Sequence, residues 1–294
     1  MSNKIKGSFL VILAMIGGGL FAIPYRLSLE TIEPLTVVWG VFIWALFFSL
    51  PGALIVRKRI RYSLRVVWVT FATSFAGLIG NFSVCQALEQ ESATLFNLIS
   101  RSEIIIAMIL SSIFLKEIIY NRVWISVLFI LLGIFVMKFD SLYFQLNEWS
   151  AFLWAILTAF SFAVMLVLAK SIIHEIDPQI LNVFRLILSL IILWSFEEVR
   201  TGIKDLKIFE WKLLALSAFC GPFLGRLAYT YSLKYLTVSK AVIICSFSPV
   251  ITLVFELFIF GTIISWLEAF GGFIMLGGII WTFLPVTRTK EFLD

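Results

Sequence analysis

Ten apolar stretches, each long enough to cross a bilayer, make up nearly all of this 294-residue chain. A spanning helix needs about 20 mostly apolar residues, so ten use about 200 positions and leave only short loops. Hydrophobic residues are 61% of the chain and charged residues 14%, against roughly 45–50% and 25% in a soluble domain. The stretches lie near 7–26, 34–56, 66–88, 92–115, 122–138, 150–170, 178–196, 212–233, 241–260 and 266–284. They read as helices, because barrel strands alternate apolar and polar residues, whereas Val123 to Met137 is apolar on nearly every face. The first stretch follows Lys4 and Lys6 like a signal peptide, but a Gly-rich middle and no small-residue cleavage pattern mark it as a helix that stays. The fold class is all-α and membrane-embedded.

A pI near 9.1 would suit a nucleic-acid binder, but the basic residues flank the apolar stretches and instead set orientation. With the N-terminus inside, cytoplasmic segments hold Lys4, Lys6, Arg57, Lys58, Arg59, Arg61, Arg65, Lys116, Arg122, Lys170, Lys234, Lys240, Arg288 and Lys290. External segments hold Arg26, Lys138, Arg200, Lys204, Lys207 and Lys212. The expected placement is multi-pass in the cell (inner) membrane with both termini cytoplasmic by this charge bias, and an even number of spans agrees by requiring both ends on one side.

The chain repeats itself. Glu33-Pro34 opens the second stretch and Asp177-Pro178 the seventh, 144 positions on, with Arg26 and Lys170 at the same offset. Gly80 matches Gly225, and Gly133 matches Gly278, at 145; Ser100 and Ser102 match Ser246 and Ser248 at 146. Five helices per copy is an odd number, so the second copy enters the membrane upside down. Residues 1–145 and 146–294 are thus expected to be two inverted five-helix repeats, a plan that places a transporter's site at the midplane between halves.

On these features the sequence resembles the drug/metabolite transporter superfamily, in its ten-helix, EamA-like branch. The resemblance covers the whole chain. It rests on the five-plus-five layout, the acidic-Pro starts, Arg185 seven residues after Pro178, Ser248-Pro249-Val250, and Leu115-Lys116-Glu117. It implies a transporter in which helices 1–4 and 6–9 enclose a central cavity, with helices 5 and 10 packed behind. The halves differ: Val41 stands opposite Arg185, Glu103 opposite Pro249, Phe260-Gly261-Thr262 opposite the Leu-Lys-Glu, and Ile16 and Gly17-Gly18-Gly19 replace the family's Trp-Gly.

Charges inside the apolar stretches are the candidate site. Arg101, Arg185, Arg226, Glu103 and Glu256 would together cost on the order of ten kcal/mol facing lipid, so they face the interior, water or each other. Asn182, Arg185 and Ser189 share one helical face, as do Arg226, Tyr229 and Thr230. Thr70, Ser74, Gly77, Asn81 and Cys85 form a stripe on the third stretch, and Asn81 is the repeat mate of Arg226. Cys245, Ser248, Thr252 and Glu256 form another, and Thr94, Asn97 and Arg101 a third. Candidate substrate ligands are therefore Arg185, Arg226, Asn81, Arg101, Tyr229, Asn182, Ser248 and Thr252, with Glu103 and Glu256 as coupling or ion-pair groups.

Two readings stand side by side: buried ion pairs such as Arg101 with Glu256 or Arg185 with Glu103, or contact with substrate. Three cations against two anions leave a net +1, suited to a carboxylate, phosphate or zwitterion. The expected function is secondary transport of a small anionic or zwitterionic metabolite, such as an amino acid, by alternating access. Alternatives are proton-coupled drug efflux through Glu103 or Glu256, a lipid or carrier-lipid flippase, and a membrane-embedded lipid-modifying enzyme. Against the enzyme stands the lack of an acidic metal cluster or His-based catalytic set. One His and scattered Cys85, Cys220 and Cys245 suggest no metal or cofactor. The expected partners are a small-molecule substrate and the bilayer, with no nucleic acid, and the chain is read as a monomer. Gly17 to Gly19 with Pro24 serve either packing or hinge motion, and Gly133, Gly271 and Gly278 permit close helix contact.

The orientation is checked by cysteine labelling from outside: Ser141→Cys and Thr201→Cys should react with an impermeant reagent, and Ser63→Cys should not. The reverse pattern contradicts the orientation.

Overall fold

The structure, a computed structural model, describes residues 3–56, 63–90, 100, 102–137, 149–260 and 265–283. Among these residues it is entirely helical apart from turns: α1 Asn3–Leu29, α2 Pro34–Val56, α3 Leu64–Gln90, α4 Glu103–Leu115, α5 Asn121–Met137 and α6 Trp149–Ser171. They are followed by α7 Pro178–Trp194, the short α8 Glu197–Gly202, α9 Ile208–Ser232, α10 Val238–Cys245, α11 Ser248–Phe260 and α12 Trp266–Phe283.

Local chemistry explains the boundaries. Pro34 and Pro178 sit at first helical positions, where a missing N–H costs nothing. The Asp177 side chain accepts from Gln179 N at 3.0 Å and caps α7. Within α9, Pro222 cannot donate to the helical ladder, and Phe219–Gly225 widens into a π-turn in which Arg226 N reaches back to Gly221 O. Pro249 likewise lacks an N–H, and the stretch expected as one helix at 241–260 is instead α10 and α11 with a break at Ser246–Phe247.

Among the described residues, five helices are long and apolar enough to cross a membrane: Ile5–Leu29, Pro34–Val56, Leu64–Ala87, Phe152–Ser171 and Ile208–Ser232. Hydropathy predicts ten spans; the others correspond to shorter apolar helices. α7 ends at Trp194 because the chain turns by 96° into the helical stretch Glu197–Asp205. That stretch was not expected from the sequence. It docks on the start of α2, where Thr36 Oγ1 donates to Glu198 O at 3.3 Å. The outer faces are those of a protein immersed in lipid: Ile55, Phe258 and Phe273 are 82%, 78% and 72% exposed.

Helix packing respects an exchange of the two halves. α3 packs on α6 as α9 packs on α1, α4 on α6 as α11 on α1, and α3 on α7 as α9 on α2; α2 meets α7 and α5 meets α12. The α5–α12 contact shows the relation at atomic detail. A Cβ at Gly133 would lie 2.6 Å from Gly271 O, and a Cβ at Gly278 would lie 3.0 Å from Ser126 O. Those two pairs are offset by 145 in both members. In lipid, where no hydrophobic force draws helices together, such backbone approach is what packing rests on.

Gly133→Ala and Gly278→Ala should therefore each destabilise the protein by about 1–3 kcal/mol. Gly277→Ala, where a Cβ meets nothing within 4 Å, should stay within about 0.5 kcal/mol. Thermal unfolding in detergent measures all three.

Candidate functional site

α7 carries a polar face turned into the interior. Gln179, Asn182, Arg185 and Ser189 are all buried and follow one another at helical spacing. Gln179 Nε2 donates to Ser49 O at 2.8 Å, and Asn182 Nδ2 donates to Ser49 Oγ at 3.1 Å, tying α7 to α2. Asn182 Nδ2 also reaches Pro222 O at 3.4 Å. The π-turn of α9 thus supplies a carbonyl acceptor to a side chain of α7.

Arg185 is 4% exposed, and its Nη2 donates to Asn182 Oδ1 at 2.9 Å. Its guanidinium lies 5.8 Å from the centre of the Phe42 ring. α3 crosses it at Gly77, where a Cβ would meet Met165 Sδ at 2.9 Å and the Arg185 side chain at 3.4 Å. Arg226, the first residue after the π-turn, stands 5.1 Å over Phe162 of α6. A cation over a ring face is favoured by the ring quadrupole, more so when desolvated. Each arginine thus has an aromatic support, Phe42 from the first half of the chain and Phe162 from the second.

The two guanidinium groups are within electrostatic reach of each other, and Arg226 is also within reach of Glu103. Two cations and one anion leave this set one net positive charge when all are ionised. Repulsion between buried cations is strong where water is scarce. A bound anion would relieve it and take up the remaining N–H donors. Arg185 and Arg226 face a narrow cleft between α3, α6, α7 and α9, with about 20 Å³ of free space in this conformation, on the scale of a single water. Thr73, Asn182, Arg185, Arg226 and Thr230 are its polar walls; Met165, Leu166 and Leu181 are among its apolar ones.

The structure brings Asn182, Arg185 and Arg226 together at this cleft. Other expected ligands among the described residues do not line this cleft. Asn81 turns onto its own helix and donates to Gly77 O at 2.7 Å. Tyr229 is buried behind Arg226 and does not line the cleft. Thr252 Oγ1 donates to Gly19 O at 2.9 Å and to Ser248 O at 3.2 Å, bracing α11 against the glycine run of α1. Glu103 opens α4 and is half-buried. Arg101 and the Glu256 side chain, like Thr94 and Asn97, lie outside the described residues.

Sequence reasoning missed Ser49, Gln179, Phe42, Phe162 and Thr73. Gln179 could have been found, since it lies three residues before Asn182 on the same face. Phe42 directly follows Val41, the repeat mate of Arg185. Ser49 on an otherwise apolar α2 was the remaining signal.

The comparisons agree with this architecture. The family model for the EamA-like transporter family matches residues 5–139 and again residues 149–284. The two matches begin 144 positions apart, the spacing of the acidic-Pro repeat. The chain belongs to the EamA-like transporter family. One solved crystal structure of another protein superposes with a TM-score of 0.79 over 97% of this chain and 99% of that chain, at 16% identity. At that identity the likeness concerns the fold alone. No curated protein matches the sequence significantly.

Asn182→Ala removes the acceptor for a buried guanidinium and should destabilise by about 1–3 kcal/mol. Ser49→Ala deletes only the far partner of the chain of bonds and should cost about 0.5–1.5 kcal/mol. Equal effects in thermal unfolding would contradict this ordering.

Proposed function

We propose that this member of the EamA-like transporter family is a secondary transporter that carries a small anionic or zwitterionic metabolite, such as an amino acid, by alternating access. The proposed frame is ten membrane-crossing helices in two inverted repeats, residues 1–145 and 146–294, with both termini in the cytoplasm of a cell whose inner membrane holds a single copy as a working monomer. The exchange-related packing of α5 on α12 and of α3 on α6 supports the repeat. The odd number of helices per repeat supports its inversion.

One observation carries the substrate class: two arginines from α7 and α9, in electrostatic reach of each other, face one cleft. In this reading a substrate carboxylate or phosphate accepts from Arg185 and Arg226. Guanidinium donors match such oxyanions in planar, two-pronged geometry, which a lysine could not reproduce. Asn182 holds Arg185 in place, and Thr73 and Thr230 offer hydroxyls to the rest of the solute. Asn81, Tyr229, Ser248 and Thr252 are assigned to the cavity's outer wall, contacted in another conformation. Arg101 and Glu256 are proposed to complete the charged set from α4 and α11, with Glu103 or Glu256 neutralising a substrate ammonium or carrying a coupled proton.

Arg185→Gln and Arg226→Gln test the reading when both flux in proteoliposomes and melting temperature are measured. A substrate-binding arginine is dispensable for insertion and essential for uptake, and losing a mainly electrostatic anchor should lower uptake at least tenfold. An arginine held only in a buried pair instead yields a loss of stability when its carboxylate partner is removed, about 3–5 kcal/mol. Normal insertion with wild-type transport of an anionic solute by both variants would overturn the positively charged site. Proton-coupled cation export through Glu103 or Glu256 would then be the better description.

A further inference from the structure

At one end of the cleft three of its lining residues, Ala169, Pro178 and Thr230, are directly followed or preceded in the chain by polar groups that bind one another. Ala169 precedes Lys170, Asp177 precedes Pro178, and Thr230 precedes Tyr231. Tyr231 donates its hydroxyl to Asp177 Oδ1 at 2.5 Å, and Lys234 Nζ pairs with Asp177 Oδ2 at 3.3 Å. The Asp177 side chain is only 5% exposed and that of Lys234 25%. Lys170 Nζ donates to the carbonyls of Leu233 and Leu236, in the turn that ends α9. Glu117, after α4, accepts from Val238 N through both carboxylate oxygens at 3.1 Å. The ends of α6 and α9 and the start of α7 are therefore pinned together by charged groups beside these lining residues, and Glu117 ties the end of α4 to the start of α10.

The other half lacks this closure in the same structure. Arg26 and Glu33 are the mates of Lys170 and Asp177 at an offset of 144, and both are exposed, with no ion pair among the described residues. An element that served only to finish a helix would be expected equally in both copies.

We propose that Asp177, Tyr231, Lys234 and Lys170 form a latch that closes one end of the cleft and opens when the Arg26–Glu33 end closes. The assignment rests on the transport reading for its purpose, but not for its test. Besides the capping bond, two charge-assisted hydrogen bonds converge on one buried carboxylate, and such bonds exceed neutral ones in strength. They are also few enough to be exchanged for an equivalent set, as a two-state element requires. Asp177 plays two parts, as helix cap and as latch, and one substitution separates them. Asparagine caps a helix as well as aspartate does, so Asp177→Asn keeps the cap and removes the charge.

Hydrogen exchange of the intact protein in nanodiscs reads the opening directly, without substrate. In Asp177→Asn, amides at 172–182 and 228–240 should exchange about tenfold faster, the loss of a charge-assisted bond converted to an opening equilibrium. Amides at 24–36, at the other end, should become more protected, while those of α5 and α12 stay unchanged. Tyr231→Phe and Lys234→Gln should repeat the pattern more weakly, and they keep the test alive if Asp177→Asn does not fold. Unchanged exchange in the folded variants, or faster exchange at one end with no added protection at the other, would show a static brace and overturn the latch. A reciprocal pattern in a protein that moves no anion would leave the latch standing and sink the substrate assignment instead.

Discussion

A guanidinium stays charged under nearly all conditions, and an isolated helix pays about 2.5–3.5 kcal/mol to hold one at the middle of a bilayer. This chain places two on neighbouring helices, close enough to repel. Neither lipid nor a dry apolar core can accept that arrangement, so α2, α3, α6, α7 and α9 must converge around it. The convergence is visible residue by residue. Arg185 donates to the Asn182 side-chain oxygen, and the Asn182 amide nitrogen donates in turn to the Ser49 hydroxyl. Phe42 and Phe162 supply ring faces. Gly77 removes the methyl group that would push α3 off Arg185.

The same constraint explains why the two halves, similar in packing, differ in chemistry. The exchange of halves pairs Gly133 with Gly278 and Gly271 with Ser126, so the rear contact of α5 with α12 is built twice from one plan. The front is not. Arg185 answers to Val41 and Arg226 to Asn81, and Asn81 satisfies itself on the Gly77 carbonyl of its own helix. A symmetric site would have held four cations in one cleft. Specialisation leaves two, with the aromatic support of one drawn from α2 and of the other from α6.

How much was legible in the sequence follows from what each feature depends on. The all-helical class, the repeat and the close glycine contacts depend on local composition and spacing, and these could be read. The face of α7 was also legible, because Asn182, Arg185 and Ser189 lie on one strongly one-sided helix. Asn81 shows what spacing does not decide. Spacing puts it on a polar stripe, but an amide can satisfy its donor on the carbonyl four residues back, and nothing in spacing distinguishes that from a ligand role. The π-turn at Pro222 and the break at Ser246 escaped because hydropathy continues through them. Each prolongs an apolar run while redirecting the backbone, and the redirected Pro222 carbonyl is one of the partners that hold Asn182. The latch at Asp177 looked like a helix start alone, since its partners Tyr231 and Lys234 come from more than fifty residues away.

The most direct measurement of the central claim is competitive uptake into proteoliposomes of a matched series of small solutes differing only in charge: a carboxylate, its neutral amide, the zwitterionic amino acid and the corresponding amine. A cleft with one net positive charge predicts that the carboxylate or the zwitterion competes and is carried, that the neutral amide competes at least tenfold less well, and that the amine is not carried. Preferred uptake of the amine over the carboxylate would contradict a site built around Arg185 and Arg226.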